Sequence, residues 1–199
     1  MESRACPQCG CRWYSANCTS AWVCEHCGTE IPTNEIQGEK SMEIKDSGQR
    51  RTFETGAVRD LAEGKGRCDL LPLEVIGIFL LDEILLRIEN YIRRGNDDDL
   101  FWILEYIGQT YYDSPYHMLL EVAKQYEDGA KKYAERNWEK GQPLHVYIDS
   151  GVRHYLKFKA GLTDEPHLRA FVWNILGAIW THRNKPEMID LPFKEDESV

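Results

Sequence analysis

The sequence predicts a mostly α-helical bundle that follows a small N-terminal zinc ribbon. Apolar residues recur with a helical period after residue 72, and Gly or Pro residues separate the periodic segments. Two Cys-x2-Cys pairs stand near the N-terminus. The 199 residues suffice for one domain of ordinary size and a small module. We therefore expect a zinc ribbon at 1–31, a linker at 32–53, an all-α domain at 54–185 and an acidic tail at 186–199.

The predicted ribbon contains two cysteine pairs, Cys6 with Cys9 and Cys24 with Cys27. Four thiolates at this spacing bind Zn²⁺ with tetrahedral geometry. So short a segment cannot bury enough surface to fold alone, and the bound metal would stabilise it directly. Cys18 or His26 could replace one of these ligands, and a redox-active pair is the lesser alternative. Residues 1–31 contain only two cations, which favours a structural or docking role over DNA binding.

The composition restricts the partners and the compartment. The formal net charge is −9, which argues against broad nucleic-acid binding because that needs a basic surface. No apolar run is long enough to cross a membrane, and no signal-peptide pattern is present. We therefore expect a cytoplasmic protein without a membrane partner. Seven Cys in such a compartment indicate metal binding before disulfides.

Local signals place the helices. The first period runs from Leu73 to Arg94 and ends at Gly95, and a second apolar face ends near Gly108. Asp113–Ser114–Pro115 is a start signal for the next helix.

The last two predicted helices follow a break at Gly141 and Pro143. The first of them runs to about Ala160, with Gly161 as its cap. The other opens at Thr163 or Asp164, and its apolar stripe comprises Leu168, Phe171, Ile175 and Ile179. The two Pro residues and the acidic charge of the tail indicate that it is frayed.

Carboxylates on two consecutive helices are the candidate metal ligands and catalytic groups. Glu121 and Asp128 share one helix face, with Gln125 between them, and we expect Leu119, Val122, Ala123 and Tyr126 to pack inward. Asp149 stands in an otherwise apolar stretch, where a lone carboxylate is costly unless it is paired or metal-bound. Oxygen ligands of this kind hold Mg²⁺. The alternatives are a salt-bridged surface pair of helices and a structural Asp149–Arg153 pair.

Cations, amides and an aromatic ring near these carboxylates are the candidate substrate-binding groups. Lys and Arg neutralise phosphate oxygens, and Trp138 could stack on a base. The set comprises Lys131, Lys132, Arg136, Asn137, Trp138, Arg153, His154 and Asn174. His154 and Asn174 could instead belong to a buried polar network. The Gly-rich stretch 54–71 is either a surface loop or a cover for the substrate, with Arg59, Lys65 or Arg67 at the phosphates.

Four segments resemble the phage-type dATP/dGTP diphosphohydrolase domain, which is grouped with the MazG-like all-α nucleotide pyrophosphohydrolases. These segments are 54–76, 119–141, 147–158 and 164–180. The run GAKKYAERNWEKG and the later run DSGVRH carry most of the likeness. The resemblance extends over most of 53–183, apart from 82–115.

The resemblance implies cleavage of a purine nucleoside triphosphate to the monophosphate and pyrophosphate, with Mg²⁺ or Mn²⁺ as cofactor. It also implies a homo-oligomer, a phage- or prophage-encoded protein that acts in the host cytosol, and Glu127 as a further metal ligand. The ExxE signature of the wider MazG group is missing, and ExxD occurs only at Glu43–Asp46 and Glu187–Asp190. The ligands therefore cannot be assigned from that signature.

Other functions stay open at this stage. The chain contains no His-Asp dipeptide, which argues against an HD-type triphosphohydrolase. The missing ExxE signature leaves two non-catalytic alternatives, a zinc-ribbon adaptor and a nucleotide sensor whose helical domain binds without cleaving.

Overall fold

The computed structural model of the protein describes residues 2–5, 12–15, 22–31 and 48–193. Contacts among Cα atoms divide the chain into two compact units, Met1–Met42 and Glu43–Val199. The predicted mostly α fold is confirmed, since six α-helices occupy most of the described part of the second unit. None of the helices within the described ranges has the length and apolar character needed to cross a bilayer.

The described part of the first unit contains two antiparallel strand pairs. β1 (Glu2–Ala5) pairs with β2 (Arg12–Ser15), and β3 (Trp22–Val23) pairs with β4 (Glu30–Ile31). Between β3 and β4 the chain makes a tight turn in which the Gly28 N–H donates to the Cys24 carbonyl at 2.7 Å. Gly28 has φ +72°, a value that glycine adopts without strain. This turn holds Cys24 and Cys27, whereas the predicted ligands Cys6 and Cys9 lie outside the described residues.

The described part of the second unit opens with a hairpin. β5 (Arg50–Thr52) pairs antiparallel with β6 (Val58–Asp60), so that Arg51 lies opposite Arg59. The predicted linker 32–53 therefore ends too late, because residues 50–52 are already part of a strand. A short 3₁₀ helix at Cys68–Leu70 follows the hairpin.

The helices that follow are α1 (Leu73–Leu80), α2 (Glu83–Arg94), α3 (Asp98–Thr110), α4 (Pro115–Tyr133), α5 (Leu144–Lys159) and α6 (His167–Asn184). Short 3₁₀ helices occupy Asn137–Lys140 and Pro186–Met188. The start signal of α4 is confirmed, since the Ser114 hydroxyl accepts from the His117 N–H at 3.2 Å. Gly95 is left-handed at the end of α2, as its position predicted.

The continuous helix predicted from Leu73 to Arg94 is wrong. The chain breaks at Leu81, which has φ +53°, and Asp82 caps α2 by accepting from the Ile84 N–H at 3.1 Å. The Tyr155 hydroxyl donates to the same carboxylate at 2.6 Å. This hydrogen bond favours the break, but Tyr155 is distant from Asp82 in the sequence. The apolar period by itself gives no sign of the break, because it continues across Leu81. The last helix also begins at His167, later than Thr163 or Asp164.

The predicted frayed tail is corrected for residues 186–193. Ile189, Leu191 and Phe193 pack against the core, and the Phe193 ring lies edge-on to Tyr91 at 5.7 Å. The His145 N–H donates to the Asp190 carboxylate at 3.0 Å. Apolar burial and this hydrogen bond hold the segment on the bundle. The remaining tail residues lie outside the described part of the chain.

Gly177 lets α6 pack closely against α5 at the centre of the bundle. A Cβ on Gly177 would lie 2.4 Å from a carbon of the buried Tyr147 ring, too close for any side chain. This packing brings the polar residues of α5 and α6 to one side of the core, where the candidate site lies.

Candidate functional site

A cavity of about 800 Å³ lies in the second unit. The β5–β6 hairpin and its following loop, α4, the turn after α4, α5 and α6 all contribute to its wall. This volume is in the range of sites that hold small molecules and cofactors. The Gly-rich stretch at 54–71 therefore contributes to a cavity wall through Arg59 and Lys65.

Arg59 is a partly buried cation in the wall of this cavity. The amide of Asn137 holds the preceding strand residue Val58, since it donates to the Val58 carbonyl at 2.9 Å and accepts from the Val58 N–H at 3.0 Å. The strand thus enters the bundle and carries Arg59 inward. The predicted substrate residue Asn137 acts on the hairpin, although it also lines the cavity.

The partners of the Arg59 guanidinium are neutral. Its Nη1 donates to the Gln142 side-chain oxygen at 3.1 Å, and its Nη2 donates to the Asn174 oxygen at 2.5 Å. The rings of Tyr147 and Trp173 lie 5.4 and 5.2 Å from it. Burial lowers the pKa of Arg59 from 12.5 to about 10. Arg59 keeps its positive charge at neutral pH and has no carboxylate among these hydrogen-bond partners. Both properties are expected of a group that binds an anion.

Further cations surround Arg59. Burial lowers the pKa of Arg51 and of Lys65, and the buried Nε of Arg51 has no hydrogen-bond partner among the described residues. The cations that line the cavity are Arg51, Arg59, Lys65, Arg136, Arg153 and Lys157. A polyanion such as a triphosphate would find several donors here.

Carboxylates also line the cavity, and they are Asp60, Glu135, Asp149, Asp164 and Glu165. Asp149 is buried, as its apolar neighbours in the sequence predicted. It accepts from the Cys68 N–H at 2.7 Å and from the Arg153 guanidinium, which also donates to the carbonyls of Lys65 and Gly66. The structural Asp149–Arg153 pair that the sequence left open is therefore present in this structure.

Two histidines and two carboxylates meet at another part of the wall. His154 Nδ1 lies 3.1 Å from His167 Nδ1, and His167 Nε2 lies 2.8 Å from the Asp164 carboxylate. Glu165 approaches His154 Nδ1 at 3.9 Å. Burial, and next the neighbouring His167, lower the pKa of His154 to about 3, so its ring is neutral at physiological pH.

The structure does not bring together the four predicted Mg²⁺ ligands. Only Asp149 lines the cavity. Glu121 binds Lys124 at 2.8 Å, Glu127 binds Lys131 at 2.6 Å on the surface, and Asp128 accepts from Arg169 at 3.3 Å. These ion pairs match the salt-bridged surface alternative for α4.

The orientation of α4 explains this outcome. The buried positions of α4 are Met118, Val122 and Gln125, whereas Leu119 and Ala123 are exposed, contrary to the prediction. Gln125 reaches the cavity, but Glu121, one turn earlier, does not.

Six of the predicted substrate-binding residues line the cavity, namely Arg136, Asn137, Trp138, Arg153, His154 and Asn174. Trp138 packs edge-on against Tyr126 and Trp180 at 5.8 and 5.1 Å. The other two do not line it, since Lys131 pairs with Glu127 and Lys132 binds Asp60 at 2.6 Å. Arg67 is also outside, because it pairs with Asp69 at 2.7 Å.

The sequence analysis missed Gln142 and Arg51 and gave no site role to His167. A lone Gln next to Pro143 carries no recognisable signal. Arg51 could have been suspected from the alternation of the strand pair, since it lies opposite Arg59. His167 stands three residues after Asp164, a helical spacing that places the two side chains close together.

Comparison with known proteins agrees with the resemblance that the sequence motifs indicated. A family model described as dATP/dGTP diphosphohydrolase, N-terminal, matches residues 104–191. No curated protein and no solved structure matches the chain. The matched region includes α4, α5 and α6 and leaves the β5–β6 hairpin outside. Residues 104–191 are therefore similar to the N-terminal domain of the dATP/dGTP diphosphohydrolases, which are nucleoside triphosphate pyrophosphohydrolases.

Proposed function

We propose that the cavity binds a purine deoxynucleoside triphosphate, dGTP or dATP, and that the protein hydrolyses it to the monophosphate and pyrophosphate with Mg²⁺ or Mn²⁺. The observation that carries this proposal is Arg59, a partly buried cation of the cavity whose hydrogen-bond partners Gln142 and Asn174 are neutral. A buried charge of this kind is costly in the empty protein and is stabilised when an anion binds.

The donor groups of the cavity fit a divalent cation bound together with a triphosphate. Mg²⁺ takes oxygen ligands and often uses only one or two carboxylates beside the substrate phosphates. Asp149 is the predicted ligand that lines the cavity, and we retain it. Glu121, Glu127 and Asp128 lie outside the cavity, so we do not assign them to the ion. The cation would neutralise charge on the phosphates and activate the attacking water.

The side chains of this chain would bind and orient the substrate. Arg59 and Arg153 would donate hydrogen bonds to phosphate oxygens, and Gln142 and Asn174 fix the direction of the Arg59 guanidinium. Trp138, already packed edge-on against its neighbours, would offer a ring face to the base. Positioning and charge neutralisation are the main requirements of phosphoryl transfer.

Product analysis tests the reaction. Incubation with dGTP or dATP and Mg²⁺ should yield the monophosphate and pyrophosphate, which ion-exchange chromatography separates from the other possible products. Release of the nucleoside and intact triphosphate would contradict the proposal. Other nucleoside triphosphates serve as the matched comparison for substrate preference.

A nucleotide sensor is the second candidate. It is favoured by the engagement of Asp149 with Arg153 and the Cys68 N–H, which leaves the predicted metal ligand already satisfied. A sensor would bind dGTP with a measurable heat but release no product at any Mg²⁺ or Mn²⁺ concentration. The same samples therefore separate an enzyme from a sensor.

A further inference from the structure

A second cluster of ligand atoms lies at the wall of the cavity, on the side where α5 faces the start of α6. One ligand atom each of His154, His167 and Glu165 lies within 4.8 Å of the other two. No other such group of three His, Cys, Asp or Glu residues occurs in the described part of the chain. Two imidazoles with one carboxylate form a typical ligand set for a divalent transition metal.

The spacing of the two imidazoles suits a bound ion. With Zn–N bonds of about 2.0–2.1 Å, tetrahedral ligand atoms lie roughly 3.3 Å apart. The two Nδ1 atoms are 3.1 Å apart. The Glu165 oxygen lies 3.9 Å from His154 Nδ1, and rotation of its side chain can shorten this distance by the few tenths of an ångström required.

Asp164 prepares His167 for this role. Its carboxylate lies 2.8 Å from His167 Nε2 and, as an acceptor, places the ring proton on that nitrogen. The lone pair of His167 is then on Nδ1, directed at His154. A carboxylate that holds the outer nitrogen of a histidine in this way is the usual second partner of metal-binding histidines.

When no ion is bound, a single proton between the two Nδ1 atoms would account for their close approach. An ion would replace it, and the proton of His154 would move to its Nε2, so that the ring stays neutral. A site with three protein ligands leaves a coordination position open, as catalytic metal sites do. His154 and Glu165 both line the cavity, so water or a phosphate oxygen would reach this position from the cavity.

We propose that His154, Glu165 and His167 bind a divalent transition-metal ion such as Zn²⁺ at the wall of the cavity. This ion differs from the Mg²⁺ of the proposed reaction. Imidazole nitrogens favour zinc and neighbouring transition metals, whereas Mg²⁺ takes oxygen ligands. The proposal concerns ion binding alone and does not depend on nucleotide hydrolysis.

Calorimetric titration of the full chain with Zn²⁺ tests the proposal. The protein is first loaded with one equivalent of Zn²⁺ per chain, which soft cysteine thiolates take up in preference to imidazole and carboxylate ligands, and an excess of Mg²⁺ occupies oxygen-only sites. The wild type should then take up about one further equivalent of Zn²⁺. His167→Gln and Glu165→Gln should lose this equivalent, and Asp164→Asn should bind it about 10- to 100-fold more weakly.

His117→Gln is the matched control. His117 also pairs with an aspartate, Asp113, at 3.0 Å, but on the exposed surface and with no second histidine. It should bind Zn²⁺ as the wild type does. The proposal is overturned if the wild type takes up no further equivalent, or if His167→Gln and Glu165→Gln bind it as tightly as the wild type.

X-ray absorption gives a reading that needs no variant, in case the buried His167 cannot be replaced without unfolding. Co²⁺ is added to wild type that carries one equivalent of Zn²⁺ per chain, and the cobalt edge is measured. The first shell should contain nitrogen and oxygen at about 2.0–2.2 Å, with histidine ring scattering behind it. A shell with sulfur at about 2.3 Å would place the ion at cysteines and overturn the proposal.

Discussion

Replacement of Arg59 by Met tests whether the role of this central cation of the cavity is to bind an anion. Methionine is similar in length and carries no charge. The fall in the Arg59 pKa from 12.5 to about 10 means that the folded state disfavours the charged form by about 3 kcal/mol, at about 1.36 kcal/mol for each pKa unit. Because the folded pKa lies below the unfolded one, this penalty is present in full at neutral pH, where the group is charged in both states.

The substitution also removes the hydrogen bonds to Gln142 and Asn174, each worth about 1 kcal/mol net. Both acceptors line the cavity, where water can replace the guanidinium. Arg59→Met should therefore leave the free energy of unfolding unchanged or raise it by about 1 kcal/mol. Urea denaturation followed by helical circular dichroism measures this difference.

The same variant should lose anion binding. A hydrogen bond from a charged donor to phosphate contributes about 1.5–3 kcal/mol, which corresponds to about a 10- to 100-fold weaker affinity for pyrophosphate in calorimetry. Arg93→Met is the control, since Arg93 is exposed and pairs with Glu89 and Glu74 outside the cavity. A variant of Arg59 that is less stable by 2 kcal/mol or more and binds pyrophosphate normally would refute this reasoning, because it would identify Arg59 as structural.

Three further predictions concern the Mg²⁺ ligand, the ribbon and the oligomer. Asp149→Asn should abolish turnover with the fold retained, because the amide keeps the shape of the side chain but removes the charge that the cation needs. Normal turnover with a lower melting temperature would mean that Asp149 has only a structural role, in its pair with Arg153. Metal analysis should find about one tightly bound zinc per chain. Cys24→Ser should lose this zinc, whereas the control Cys68→Ser should retain it. A wild-type protein without zinc would contradict the predicted zinc ribbon. Phe79 on α1 is 81% exposed, and we expect it to lie in a contact between subunits. Light scattering should therefore show an oligomer that Phe79→Ser weakens. A monomeric wild type would exclude such a contact.

The sequence by itself determined most of the helices and part of the candidate site, because these depend on local chemistry. Ser114 and Pro115 fix the start of α4 through a cap that needs only neighbouring residues. The run that contains Trp138 and the run that contains His154 reach the cavity as predicted, since each lies at a fixed position relative to its helix.

Tertiary structure decided which polar groups meet. The apolar period gave α4 a polar face but not its rotation, and packing of Met118 and Val122 turned Glu121 away from the cavity and Gln125 towards it. The apolar pattern also continued across Leu81, where the hydrogen bond from Tyr155 to Asp82, formed only in the folded bundle, accompanies the break.

The central cation of the site shows the same limit. Arg59 donates hydrogen bonds to Gln142 and Asn174, which are 83 and 115 residues away in the sequence. Neither hydrogen bond can be predicted from the local sequence. A hydrogen bond between such distant residues depends on the packing of β6, α5 and α6 against one another. Local sequence sets the conformation of each element, whereas the partners of a buried charge are fixed only when the elements pack together.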